Sequence, residues 1–380
     1  MGLRSFTDKI KPTFSKGGKF AWLHSTFEAF ETFLFVPNTV TAKGCHVRDS
    51  IDLKRTITVA MVALLPCVLF GMYNIGFQHN LAIGGGMGFW AMVWYGFLKI
   101  LPLYLVTYIV GLAIEFGSAQ IQGHEVNEGF LFSGLIIPLI VPVTIPLWML
   151  ALAVVFAVII GKEIFGGTGM NIWNPALLAR AFLFFAYPSR MTGDSIWVSV
   201  GRNSVAVDGF SGATPLSQIA GGVDAVQYSL ADMFFGFIPG SVGETSKLCI
   251  LIGAFILIYT GVGSWKVMLS TVLGGLFVGF LAQLGNATDV PAYYHLLMGG
   301  FLFGTVYMAT DPVTSAQTEC GKWIYGFLIG AIAVVIRLFN PGYPEGMMLA
   351  ILLMNTFAPL IDHLVVKRNI TRRLNRAKTV

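Results

Sequence analysis

The chain has 380 residues, 55% of them hydrophobic and only 11% charged, with a mean hydropathy of +0.73 and a net charge of +5. Ordinary soluble domains carry roughly 25% charged residues, so the composition excludes one; apolar runs of about 20 residues point instead to a helical integral membrane protein. The positive charge is no nucleic-acid signal, because nine Lys/Arg lie in residues 1–55 and six in residues 367–380, together 15 of 24.

Basic ends of this kind face the cytoplasm, which requires an even number of spans. Residues 1–55 form a polar arm with no apolar core of a signal peptide. Trp22, Phe27, Phe30, Phe33, Leu34 and Phe35 give it an amphipathic stretch, suited to an interfacial helix or to docking on another subunit. Spans are expected at about 56–75, 100–116 (entered by Lys99), from Gly129 towards Pro138 and Pro142, 146–161 and 171–187. Residues 76–98, Gly-rich and aromatic, do not declare themselves. After a polar interval at 188–246, five more spans are expected at 248–260, 266–284, 293–309, 322–339 and 346–366, followed by a basic tail at 367–380. The predicted fold is all-α, with about ten transmembrane helices.

The two halves, 56–187 and 247–366, echo each other. Gly129-Phe130-Leu131-Phe132 recurs as Gly300-Phe301-Leu302-Phe303, Pro142-Val143-Thr144 as Pro312-Val313-Thr314, and Asn174-Pro175 as Asn340-Pro341. With five spans per half, the second copy enters the membrane from the opposite side, and inverted repeats interrupted by Pro and Gly build sites at their interface. Ten spans put the 188–246 loop on the outer side. Its two bases, Arg190 and Arg202, against Asp194, Asp208, Asp224, Asp232 and Glu244 agree with that placement.

This loop carries Asp208-Gly209-Phe210-Ser211-Gly212-Ala213-Thr214, small residues around one hydroxyl with room for a bulky group. It is no hydrolase nucleophile, since Gly-x-Ser-x-Gly is absent. By itself it also reads as a turn-rich loop serving backbone geometry. Asn171 and Asn174 flank Trp173 after a Gly-rich turn. Their amides match the edge of a flat heterocycle with the indole stacked on it, but equally cap a helix that begins at Pro175. Glu115 and Asp362 fall near cytoplasmic span ends, as ion-path carboxylates or as interfacial residues with local partners such as Lys367. Arg180 needs a carboxylate, a carbonyl or an anion; Arg337 is expected to snorkel outward; Asp311 offers oxygen ligands or a helix cap. Cys45, Cys67, Cys249 and Cys320 are spaced neither as a disulfide framework nor as a metal site.

Taken together, His46-Val47-Arg48-Asp49-Ser50, Gly123-His124-Glu125-Val126-Asn127-Glu128-Gly129, Phe165-Gly166-Gly167-Thr168-Gly169, Asn174-Pro175-Ala176-Leu177 and Ser211-Gly212-Ala213-Thr214 resemble the B subunits of the bacterial Na⁺-translocating NADH:quinone oxidoreductases, over essentially the whole chain. The resemblance implies a covalent FMN on Thr214 through a phosphoester, installed by a flavin transferase that reads Asp208, Ser211, Gly212 and Ala213. It implies a non-covalent riboflavin near Asn171, Trp173 and Asn174, ubiquinone or menaquinone as electron acceptor, and Na⁺ uptake through Glu115 and Asp362. It further implies a multi-subunit complex in the bacterial inner membrane, with both termini cytoplasmic and the Thr214 loop periplasmic. The partners would include an NADH-oxidising flavoprotein subunit and a periplasmic FMN subunit. No Gly-x-Gly-x-x-Gly follows a strand here, so NADH oxidation belongs to a partner. The D subunit of Rnf-type ferredoxin:NAD⁺ oxidoreductases is the nearest alternative; an inverted-repeat channel without a redox centre is the alternative of a different class.

Overall fold

The computed structural model describes residues 3–15, 18–20, 23–24, 26–28, 31, 35, 41–47, 53–122, 129–194, 196–200, 206–207, 210–221, 227–340 and 342–378. Among them every regular element is helical. Helix α1 (Leu3–Phe14) opens the arm, with Phe14 stacked on Phe27 at 4.8 Å and Lys11 Nζ donating to Glu31 Oε1 at 2.8 Å. Within the aromatic stretch singled out in the sequence, His24, Thr26 to Glu28 and Glu31 are helical; Trp22, Phe30, Phe33 and Leu34 lie outside the described residues.

The body follows as α2 (Leu53–Ala82), α3 (Phe89–Gln122), α4 (Gly129–Ile140), α5 (Leu147–Gly161, prolonged by a 3₁₀ turn to Phe165) and α6 (Pro175–Ala186). Two short loop helices, α7 (Pro215–Ala220) and α8 (Leu230–Phe235), precede the second half. That half consists of α9 (Lys247–Tyr259), α10 (Trp265–Leu284), α11 (Tyr294–Leu297), α12 (Phe301–Phe303), α13 (Glu319–Phe339) and α14 (Met347–Lys378). α12 runs on as a π turn over Gly304–Met308.

Helices α2, α3, α5, α10, α13 and α14 are long and apolar enough to cross a membrane. The other four predicted spans are realised differently. α4 and α6 have 12 residues and α9 has 13, while the eighth span is broken into α11, α12 and the π turn. At 1.5 Å per residue, 12 residues reach only about 18 Å of a hydrocarbon core of roughly 30 Å. Proline and glycine set these limits: Pro142 follows α4, α6 lies between Asn174-Pro175 and Pro188, and Gly261 (φ +74°) follows α9. Broken segments of this kind persist in a membrane where they are packed in protein or line a cavity.

The long helices are built inside out relative to a soluble bundle. The inner face of α3 is Gly96, Ile100, Leu103, Thr107, Gly111, Glu115 and Ala119, a run at three- and four-residue spacing dominated by small side chains. Its outer face presents Trp90, Trp94, Leu98, Leu105 and Ile109. Small residues let backbones approach while large apolar ones face lipid. One contact recurs in both halves. The Phe130 ring closes on Gly111 of α3 and the Phe301 ring on Gly275 of α10, each so tightly that a Cβ on the glycine would overlap the ring. These rings are the first Phe of the repeated Gly-Phe-Leu-Phe motif, so the sequence repeat has a packing counterpart.

Candidate functional site

Two cavities lie along α6: Arg180 and Met191, beyond the helix end, line the first, Asn174 and Pro175 the second. At the first, Thr214 is the N-cap of α7, with extended backbone (φ −74°, ψ 155°) and Pro215 at the first helical position. Its Oγ1 accepts from Ser217 N at 3.1 Å, while Ser217 Oγ donates to Asp194 Oδ1 at 3.2 Å. Ser211 Oγ accepts from Ala213 N at 3.3 Å, and Gly212 lies so close to the Asp194 carbonyl that a Cβ would overlap it. Tyr228 Oη donates to Ala213 O at 3.2 Å. Burial first, then the nearby Asp194 carboxylate, holds this phenol above its ordinary range and so keeps it a donor. The loop geometry anticipated for Ser211 to Thr214 is therefore present, and Thr214 lies on a cavity wall. Asp208 lies outside the described residues.

The cavity encloses about 360 Å³, within the ~300–1,000 Å³ usual for ligand sites. Thr214, Trp197 and Leu216 line it together with Arg180, Lys247 and Glu345. Its charged wall is held from three directions. Arg180 Nη1 donates to Glu244 Oε1 at 2.6 Å, and Nη2 is paired with Glu345 Oε2. Lys247 Nζ donates to the carbonyls of Glu244 (2.6 Å), Thr245 (3.2 Å) and Gly299 (3.3 Å). Behind Gly299, Arg337 donates to the carbonyls of Glu345 (3.1 Å), Met298 (3.0 Å) and His295. Arg337 is buried at 8% exposure, so it does not snorkel outward: three carbonyls replace water around its guanidinium. Gly300 approaches the Glu244 carboxylate so closely that a Cβ would overlap it. Burial pushes the Glu345 carboxyl up, against the opposing pull of Arg180. A flavin esterified to Thr214 fits this space: Thr214 lines it, its size suits a fused ring, and the wall offers cations and apolar rings. Esterification removes the threonine O–H but leaves an oxygen able to accept from Ser217 N.

The second cavity holds about 110 Å³ and is lined by Ser133, Lys162, Thr168, Asn171, Asn174 and Asp311 among others. Asn174 caps α6, its Oδ1 accepting from Ala176 N (3.0 Å) and Leu177 N (3.4 Å), and its Nδ2 donates to Asp311 Oδ2 at 3.2 Å. Asn171 Nδ2 donates to Trp173 O at 3.0 Å. Trp173 turns away, its Nε1 donating to Thr356 Oγ1 at 3.0 Å, and lines an open apolar groove of about 810 Å³ beside α6 and α14. The amides and the indole therefore do not converge on one ligand, because the Thr356 bond draws the ring to the opposite side. At 110 Å³, well below the usual ~300 Å³, the space does not fit an isoalloxazine.

The two membrane carboxylates are held separately. Glu115, 4% exposed, is paired through Oε1 with Lys162, itself 4% exposed and on the second cavity's wall; Glu115 Oε2 has no hydrogen-bond partner. Asp362 accepts from Gln317 N (2.7 Å), Thr318 N (3.0 Å) and Thr318 Oγ1 (2.5 Å) at the start of α13, rather than pairing with Lys367. Asp311 closes an Asx turn on Val313 N at 3.0 Å. Among the described residues no three His, Cys, Asp or Glu side chains gather as a metal site. The sequence reading anticipated a partner for Arg180 but not which one, and it passed over Lys162 and Lys247. The available signal was a charged side chain abutting an apolar run: Lys162 after Ile160-Gly161, and Lys247 before Leu248.

Known proteins share this sequence over nearly its full length. Residues 40–371 match the model of the NQR2, RnfD, RnfE family. The B subunit of the Na(+)-translocating NADH-quinone reductase of Chromohalobacter salexigens is 48% identical over 405 residues, covering 99% of this chain and 97% of the relative. The proteins of the same name from Pseudomonas aeruginosa (strain LESB58) and Stutzerimonas stutzeri (strain A1501) are 45% and 47% identical over 408 residues, each covering 99% of this chain and 100% of the relative.

Proposed function

As the chain belongs to the NQR2, RnfD, RnfE family, we propose that it is the membrane-embedded B subunit of a Na⁺-translocating NADH:quinone reductase. The observation that carries the reading is Thr214 on the wall of a flavin-sized cavity that Arg180 and Lys247 also line. The relatives' names support the complex, the quinone and the ion. The covalent FMN on Thr214, its installation by a flavin transferase reading Asp208 to Ala213, and the periplasmic face of this loop are part of the proposal.

The flavin supplies the redox chemistry; the side chains hold it in place and set its surroundings. Trp197 and Leu216 exclude water from the cavity, the cap on α7 fixes the Thr214 oxygen, and Tyr228 secures the loop through Ala213. Electrons enter from an NADH-oxidising partner by way of a periplasmic FMN subunit and leave to ubiquinone or menaquinone, coupled to Na⁺ export. No riboflavin is assigned to the Asn171–Asn174 segment, whose amides serve the helix start and do not converge with Trp173 on one ligand. Na⁺ entry is assigned to Glu115, which keeps one buried oxygen free, and to Asp362.

The decisive experiment is Thr214→Ala in the whole complex. The chain keeps its place in the membrane, while its fluorescence on a denaturing gel and the complex's quinone reduction are both lost. Covalent flavin persisting in that variant refutes the assignment. An unmodified wild-type chain would favour the inverted-repeat channel. The family also includes RnfD, and quinone reduction by the intact complex separates that reading from ours.

A further inference from the structure

The charged cluster at the cavity that Thr214 lines carries an imbalance that the fold itself leaves open. Arg180, Lys247 and Arg337 are 4%, 1% and 8% exposed, and among the described residues the carboxylates set against them are Glu244, which is buried, and Glu345, which is half-buried. Arg180 takes both carboxylates. Lys247 and Arg337 contact main-chain carbonyls, which solvate a cation but do not neutralise it. The remaining ionisable groups facing the cavity are Tyr343 on the inner side and Asp194, which is exposed and screened by solvent at the Ser217 side. Uncompensated buried charge is costly, and Lys247 lines the same cavity as Thr214. An anion in that cavity completes the set.

Resting on the reading of Thr214 as the flavin-bearing residue, we infer that Lys247, backed by Arg337, is a positioning residue that makes this cavity a seat for the anionic, two-electron-reduced flavin ring. The phosphoester would hold the phosphate at Thr214, leaving the ring as the part free to reach Lys247 on the same cavity. Uptake of two electrons, delivered ultimately by NADH, with one proton bound at N5 leaves N1 deprotonated and one negative charge on the N1–C2 carbonyl edge. A fixed cation beside that edge favours the reduced form, because charge near N1 is a principal means by which a protein tunes a flavin. Lys247 suits the role. Three carbonyls hold its ammonium in place, so little reorganisation accompanies reduction.

The test is a spectroelectrochemical titration of the purified complex. The covalent flavin's component is taken as the difference from the Thr214→Ala complex, with gel fluorescence measured in parallel. In the wild type this component shows the near-ultraviolet spectrum of an anionic reduced flavin. Lys247→Gln keeps N–H donors for the carbonyls but removes the charge. Its reduced form is disfavoured at least tenfold relative to the oxidised one, a fall of about 30 mV for two electrons, with covalent flavin content unchanged. A neutral reduced-flavin spectrum in the wild type overturns the inference, and that measurement does not depend on any variant folding. An unshifted potential in a fully flavinylated Lys247→Gln complex also overturns it while leaving the Thr214 assignment standing. Absence of wild-type gel fluorescence overturns both.

Discussion

Removing Lys162 isolates a carboxylate in the interior. Glu115 and Lys162 are each 4% exposed, and the pair occupies one carboxylate oxygen while the other has no partner. Lys162→Met therefore leaves a buried carboxylate with its ionic contact to Lys162 gone. Two unit charges about 4 Å apart at an effective dielectric constant of roughly 20 attract by about 4 kcal/mol. That agrees with the roughly 3–5 kcal/mol typical of breaking a buried pair from one side. At about 2 °C per kcal/mol for a large domain, the midpoint of thermal inactivation should fall by on the order of 8 °C. The assay is the fraction of this chain left soluble in the detergent-purified complex after a temperature ramp. In the Glu115→Gln/Lys162→Met double variant neither charge is left unpaired, so most of the loss should be recovered; this coupling is what a double-variant cycle isolates. A Lys162→Met complex as stable as wild type refutes the reasoning. So does a double variant no more stable than the single one.

Na⁺ response separates transport from architecture: Glu115→Gln and Asp362→Asn should raise the half-saturating Na⁺ of quinone reduction or lower its maximum with flavin content intact, and wild-type Na⁺ curves for both remove these acids from the ion path. Replacing Asn171 and Asn174 together by Leu should leave extractable riboflavin per mole of complex and covalent FMN unchanged, because their amides serve the helix start and Asp311; a selective loss of riboflavin would return them to a flavin site. Asn174→Ala alone forfeits the cap of α6 and the Asp311 tether, and a cap is typically worth ~1 kcal/mol, so a lowered thermal midpoint is expected even where flavins are retained. Gly300→Ala forces a methyl onto the Glu244 carboxylate and should disturb the Arg180 pair, read as weaker retention of this chain in the purified complex; full stability would show that the glycine is dispensable.

The repeated Gly-Phe-Leu-Phe motif shows how far sequence reaches. Its order and spacing are visible along the chain, but the reason for the first Phe, a ring closed on Gly111 or Gly275 from another helix, exists only in three dimensions. Helical class, the membrane character and the Thr214 motif were equally legible, because hydropathy, end charges and turn residues are local properties. Segment length misled at α4, α6, α9 and the α11–α12 region. Apolarity continues through Pro and Gly there while the helix does not, and hydropathy does not register a broken backbone.

The sequence alone determined what the chain is made to do in broad terms: reside in a membrane, present a hydroxyl in a small-residue loop, and carry a few charges among apolar runs. Tertiary structure decided which of those charges meet. Arg180 finds Glu244 and Glu345 at sequence separations of 64 and 165, and Lys162 finds Glu115 at 47. It also turned Trp173 away from Asn171 and Asn174, and set Thr214 and Lys247 on one cavity. The physical reason is that a buried charge is tolerable only beside a partner, and partners are chosen by how helices pack, a relation between distant segments that no local window of residues encodes.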